Sequence, residues 1–188
     1  MTVSAGDPRS FDTLVQVLKS GGVAIAPGDT MYGLIGEAPG TEERIRRIKG
    51  RGEDKPFLQL LPEQSWVARV SDIPVPPRLR RYWPGPLTMV FAARAGGTVA
   101  LRVPDSPFLR DLLIAVGAPL FSTSVNRAGQ QPLSVLGEMR REFEADVDLI
   151  YDGGPSPAGL PSTLLDITAR PFRVLREGAL HLSPDDLL

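Results

Sequence analysis

The 188 residues carry 42% apolar side chains and a formal charge of only −1, enough for one domain with its own core and far from the basic balance of a dedicated nucleic-acid binder. The absence of cysteine excludes disulfides and thiolate metal sites, and the single histidine, His181, leaves a multi-histidine metal centre without ligands and reads as a surface residue. No stretch approaches the apolar length of a membrane span, and "MTVSAGDPRS" lacks a basic, apolar secretory pattern, so a cytoplasmic location is expected.

Phe11, Leu14, Val15 and Leu18 recur at one-face helical spacing, with Ser10 as the expected cap and Gly21-Gly22 as the stop. "VAIA" (23–26) then reads as a buried strand, and "PGDTMYGL" (27–34) as a polar loop. Thr41 is placed to cap a helix with Glu42 and Glu43 in its first turn and Arg46, Arg47 and Lys49 late, as the helix dipole favours. After the loop "KGRGEDKP" (49–56), "FLQLL" predicts a strand and Glu63 to Val70 a short helix. "LTMVFAA" (87–93) and "TVALRV" (98–103) predict neighbouring strands across Gly96-Gly97. Ser106-Pro107 opens a helix in the order cap then proline, and Gly117 closes it. "PLFSTS", "DLIYDG", "STLLDIT" and "FRVLRE" supply further strands, with a helix over about 134–143 between the first two. The alternation predicts a single α/β domain over 1–188, core about 11–180, with a twisted mixed sheet flanked by helices.

Neither G-x-x-x-x-G-K-[ST] nor G-x-G-x-x-G is present, so any phosphate would be held by dispersed cations, hydroxyls and backbone amides. The strand ends are rich in such groups: Asp29, Thr30 and Tyr32; Lys49, Arg51 and Lys55; Arg102; Ser122, Ser124 and Asn126; Ser162 and Thr163; Arg176. Each has an ordinary alternative, since late-helix cations complement a dipole, Ser-x-Ser-x-Asn forms turns, and a lone arginine pairs with a carboxylate. Spacing leaves both readings open.

"PGDTMYGL", "KGRGEDKP", "WPGPLT" (83–88), "LRVP", "STSVN", "STLLD" and "VLREG" occur in the order that resembles the YrdC/TsaC family of threonylcarbamoyl-AMP synthases, over roughly 11–180. Lys49, Arg51, Ser124 and Asn126 match the family's Lys-x-Arg and Ser-x-Asn signature. The resemblance implies a YrdC-like fold around a positively charged cavity, in the short form without an additional C-terminal domain. It implies a nucleotidyltransferase that joins L-threonine, bicarbonate and ATP, with Mg²⁺ on the triphosphate and release of pyrophosphate. The product would pass to downstream threonylcarbamoyl-transfer proteins that modify adenosine in tRNA; tRNA is a further candidate partner, and a membrane is not. Implied catalytic residues are Lys49, Arg51, Ser124 and Asn126. Thr30, Arg102, Ser122 and Ser162 match positions around threonine, and Arg51, Lys55, Thr98, Ser124 and Arg176 positions around the nucleotide; no residue is assigned to metal.

The match departs at Gly28, where threonine is usual, at Gly52, where proline is usual, at Leu60, where some members carry histidine, and at Val125, where alanine is usual. Two other functions remain open: a diverged paralogue acting on another carbamoyl substrate, and a non-catalytic RNA-binding module using the six cations at 44–55, which against Glu53 and Asp54 give a local +4. As late-helix cations facing water, Lys49 and Arg46 would each contribute only about 0.3–1 kcal/mol to stability. Lys49→Ala and Arg51→Ala are therefore expected to reduce turnover at almost unchanged melting temperature, with Arg46→Ala as the inert control.

Overall fold

The computed structural model describes residues 1–50, 52, 57–155 and 159–188. In chain order the regular elements are β1 (Thr2–Ser4), α1 (Ser10–Lys19), β2 (Val23–Ala26), β3 (Gly33–Glu37), α2 (Glu42–Lys49), β4 (Leu58–Leu60), β5 (Leu87–Ala92), β6 (Thr98–Arg102), α3 (Pro107–Val116), β7 (Leu120–Ser124), α4 (Leu136–Phe143), β8 (Leu149–Asp152), β9 (Thr163–Asp166) and β10 (Arg173–Arg176). Short 3-10 helices cover Gln64–Arg69, Pro77–Tyr82 and Pro184–Leu187. All strands join one mixed sheet in the order β1-β8-β2-β3-β7-β4-β6-β5-β9-β10.

Side chains alternate across a strand, so neighbouring residues feed different cores. Leu14 and Leu18 of α1 and Leu109, Leu112 and Leu113 of α3 pack on Ala24, Ile35, Leu120 and Leu149. Their neighbours Val23, Ile25, Leu34, Phe121 and Ile150 face the opposite way, onto Ile45 and Ile48 of α2 and Met139 and Phe143 of α4. A third core lies under the 3-10 helices, where Leu79, Trp83, Met89, Phe91, Leu101 and Leu165 meet. Each fully buried leucine contributes about 1.5–3 kcal/mol.

Pairing extends the α1/α3 side of the sheet beyond those helices. Leu58 sits opposite both Ser122 and Ala100, Leu60 opposite Arg102, and Ser124 opposite Gly33. Alternation therefore gives Ser122, Ser124, Ala100 and Arg102 a common face, joined by Thr88 from β5. This face is polar where the helices stop.

Local expectations fare unevenly. Ser106 caps α3 by accepting from Leu109 N–H at 3.3 Å, and Gly117 ends it at φ 80°. Ser10 is not a cap: its buried hydroxyl donates to Ser4 O at 2.6 Å. Thr41 occupies the cap position of α2 but bonds backward to Glu37 O, without capping a helical N–H. The short helix expected over Glu63 to Val70 forms as a 3-10 helix, Gln64–Arg69.

Candidate active site

The last residue of α2 turns inward. Lys49 is 4% exposed, and its ammonium donates to Ser124 O (2.7 Å), Asn126 O (2.9 Å) and Asn126 Oδ1 (2.8 Å). Gly50, at φ 62°, then ends the helix in the left-handed conformation that glycine adopts without strain. Ser124 Oγ donates to the same Asn126 Oδ1 at 2.6 Å, while Asn126 Nδ2 donates to Arg127 O and Gln130 O. Residues 75 and 77 positions apart thus form one knot on the turn that follows β7. The low cost expected for removing Lys49 is overturned, because a buried ammonium with three acceptors is not a solvated helix-end charge. The Arg46 control changes for a similar reason. It donates to Glu42 at 2.6 Å and to Gly52 O at 2.7 Å, and lies over the Phe57 ring.

A second cluster lies on the polar face. Arg102 Nη2 donates to Asp29 Oδ1 at 2.8 Å, both side chains being 6% exposed. Burial pushes the guanidinium below its ordinary pKa, the Asp29 carboxylate opposes that shift, and the charge of Arg176 adds to it. Arg102 Nε is buried with no acceptor among the described residues. Nearby, Thr88 Oγ1 and Ser162 Oγ share a hydrogen bond of 2.8 Å, and Arg176 Nη2 donates to Ser162 O at 2.9 Å. Partial desolvation lowers the Arg176 pKa.

Among the residues singled out from the sequence, the structure joins Lys49, Ser124 and Asn126, and separately Ser162 and Arg176; it puts Ser122 and Arg102 on one sheet face. Thr30 lies in the loop after β2. Thr98 stands apart, exposed at the start of β6, where it lines a 530 Å³ groove with Arg46, Phe57, Gln59, Arg69 and Arg94. Arg51 and Lys55 lie outside the described residues. His181 is exposed.

The family model Sua5/YciO/YrdC, described as "Telomere recombination", matches residues 16–178. The chain belongs to this family. The threonylcarbamoyl-AMP synthase of Bos taurus is 33% identical over 97% of this chain and 73% of its own. Escherichia coli YciO superposes with a TM-score of 0.81 at 25% identity, covering 100% of this chain and 98% of its own. Pyrococcus abyssi Sua5, solved with L-threonine, shares the fold at a TM-score of 0.84 and 24% identity; this chain is covered to 95% and spans 57% of that one.

Within this Sua5/YciO/YrdC chain the departures acquire physical reasons. Gly28 N–H donates to Met31 O at 2.9 Å, and a Cβ at Gly28 would stand 2.2 Å from that oxygen, so this turn requires glycine. Leu60 and Val125 are core residues, 1% and 0% exposed. The sequence reading passed over Arg127, which donates to Ile48 O, bonds Asp146 Oδ2 at 2.6 Å and covers the Phe143 ring, tying α2 to α4. It also left Asp29 and Thr88 without roles. No spacing rule marks these residues, whose partners are distant in sequence.

Proposed function

We propose that this chain is a threonylcarbamoyl-AMP synthase, a nucleotidyltransferase making L-threonylcarbamoyl-AMP and pyrophosphate from L-threonine, bicarbonate and ATP. The observation that carries this reading is the meeting of Lys49 with Ser124 and Asn126, the two halves of the family signature, in one buried knot. The threonine amine bonds to the bicarbonate carbon as the C–OH bond breaks, the hydroxide leaving as water with a proton from the amine. The resulting N-carboxylate attacks the α-phosphate, expelling pyrophosphate. Every reactant except the amine is anionic, so fixed cations and oriented donors are the main catalytic resource.

In this reading Arg51 serves bicarbonate and phosphate directly, while Lys49, its ammonium engaged by Ser124 and Asn126, holds that turn in place and lends its charge to the same anions. Ser124 and Asn126 stand beside the nucleotide or intermediate. Lys55, Thr98 and Arg176 serve the nucleotide; Thr30, Arg102, Ser122 and Ser162 surround threonine. No group of three or more His, Cys, Asp or Glu able to hold a metal occurs among the described residues, so Mg²⁺ would enter on the triphosphate oxygens of ATP. The product would go to threonylcarbamoyl-transfer proteins acting on tRNA. A cytoplasmic setting belongs to the same proposal; no described helix is long and apolar enough to cross a membrane.

The RNA-module alternative weakens, since Arg44 and Arg46, two of its six cations, are paired with Asp148 and Glu42. The deciding experiment is mass spectrometry of a mixture with ATP, Mg²⁺, bicarbonate and threonine, without tRNA. It should yield threonylcarbamoyl-AMP with threonine-dependent pyrophosphate release. Valine, lacking the hydroxyl, should be slower by the equivalent of about 1–3 kcal/mol. Equal turnover of valine, or strict dependence on tRNA, would overturn the assignment.

A further inference from the structure

Asp29 belongs to none of the residue sets assigned above, yet it is the carboxylate that holds Arg102. The turn that presents it is closed by the bond from Gly28 N–H to Met31 O and admits no Cβ at Gly28. Arg102 Nε and Nη2 form one two-pronged edge of the guanidinium. Asp29 Oδ1 takes the Nη2 prong at 2.8 Å, while the Nε prong is buried and without an acceptor among the described residues. Asp29 Oδ2 has no hydrogen bond among those residues, and it is not one of the buried unpaired atoms. The pair therefore offers a ligand unmet guanidinium N–H donors, the buried Nε among them, and one carboxylate oxygen, Asp29 Oδ2, without a partner among the described residues.

The shape of that offer restricts what fits. A donor buried without an acceptor favours any ligand that supplies one, and a carboxylate is the strongest match to an arginine edge. A bare carboxylate arriving at Nε would share one guanidinium with Asp29, and two like charges at one site repel. A ligand that carries a cation next to its carboxylate removes that conflict, because the cation meets Asp29 Oδ2. An α-amino acid in its zwitterionic form has this arrangement.

We propose that Asp29 and Arg102 act as a dipole that selects a zwitterionic amino acid, Asp29 taking the α-ammonium and Arg102 Nε the α-carboxylate. The assignment rests on the threonine reading above and gives Asp29 the part of excluding acids that lack the amine. It describes the initial complex; release of the ammonium proton before attack on carbonate is a later step.

Calorimetric titration of the wild type, Asp29→Asn and Asp29→Glu with L-threonine and with 3-hydroxybutyrate, which is threonine without its amine, tests the idea. Wild type should bind threonine tighter than 3-hydroxybutyrate by about 10- to 150-fold, the range for a hydrogen bond to a charged group. In Asp29→Asn, whose amide oxygen still accepts from Nη2, that ratio should collapse to within about threefold, with 3-hydroxybutyrate bound as well as before or better. Asp29→Glu should keep the preference for threonine, since the charge remains. A purely structural role for Asp29 would weaken both ligands together and leave the ratio unchanged, and that result overturns the proposal. Should Asp29→Asn fail to fold, loss of the preference in Asp29→Glu overturns it instead. If the wild type binds no threonine, the functional reading falls and this proposal with it. If the wild type binds threonine and Asp29→Asn keeps the wild-type ratio, only the role of Asp29 falls.

Discussion

Lys49 and Arg102 are buried to nearly the same degree, 4% and 5% exposed, but their surroundings differ. Among the described residues the Lys49 ammonium is met by three protein acceptors at the end of β7 and on the turn after it, whereas Arg102 has a single carboxylate contact and a buried N–H with no acceptor. A buried cation surrounded by protein acceptors fixes backbone; one left short of acceptors is arranged for something that arrives later. Burial alone does not separate the two cases. Counting acceptors does.

The comparison is tested most severely at Lys49. Lys49→Met keeps the apolar stem but removes the ammonium from Ser124 O and Asn126 O and leaves Asn126 Oδ1 with Ser124 Oγ alone, an unsatisfied acceptor being worth about 1–3 kcal/mol. Partial relaxation should bring the total to about 3–5 kcal/mol, lowering the melting temperature by roughly 6–20 °C in a domain of this size. Pyrophosphate release should fall as well, because Ser124 and Asn126 lose their anchor. Arg47, exposed on the same helix, is the proper control and should shift neither measurement. A melting temperature within about 2 °C of wild type would show the knot to be energetically idle.

At Arg102 the balance should reverse. Arg102→Lys retains a cation beside Asp29 but removes the two-pronged edge, so stability should change by about 1 kcal/mol or less. The KM for threonine should rise about 10- to 150-fold, as expected for losing a hydrogen bond to a charged ligand group. Steady-state kinetics alongside calorimetric melting separate the two effects. An Arg102→Lys protein that melts early with normal KM would make Arg102 another scaffold cation.

Periodicity sufficed for α1, for β2, for the β5/β6 pair and for the caps of α3, where each signal lies within a few adjacent residues. It failed for β3, "GLIGE", whose two glycines and short apolar run carry little strand preference and whose form depends on pairing with β2 and β7. β1 is similar: three residues held by a parallel partner, β8, far along the chain. The site divides in the same way. Ser122, Ser124 and Arg102 stood out as polar groups at apolar strand ends, and the family resemblance supplied Lys49 with Asn126. The Asp29–Arg102 pairing, across 73 residues, and the Arg127 brace followed from neither, because tertiary contact creates them.

A smaller effect is expected at Thr88, which borders the Arg102 cluster without carrying charge. Thr88→Val removes the hydrogen bond to Ser162 while keeping the shape of a buried β-branched side chain. The net loss should be about 1 kcal/mol, near 2–4 °C in melting temperature. Because Ser162 keeps its contacts with Arg176, the KM for threonine should rise by no more than about fivefold. A much larger rise would mean that Thr88 belongs to the threonine site itself.

The smallest effect should come from a third kind of cation, one left in water. Arg44 donates to both carboxylate oxygens of Asp148, at 2.6 and 3.0 Å, with the two side chains 37% and 40% exposed. Burial pushes the Asp148 carboxyl up, but the Arg44 hydrogen bonds and the N–H of Val23 outweigh it and hold the group below its ordinary value. Solvent screens so exposed a pair, so Arg44→Ala should cost only about 0.2–1 kcal/mol, and less at high salt. The sign with pH follows from the depressed carboxyl. The stabilisation is complete above the unfolded-state value of a carboxylic acid and is lost as pH falls through the lower folded-state value. Melting curves of wild type and Arg44→Ala should therefore lie about 0.5–4 °C apart at neutral pH and converge in acid, with unchanged pyrophosphate release. A gap that survived acid and high salt would place Arg44 with Lys49 among the cations that fix the backbone, and exposure would no longer predict which cations matter.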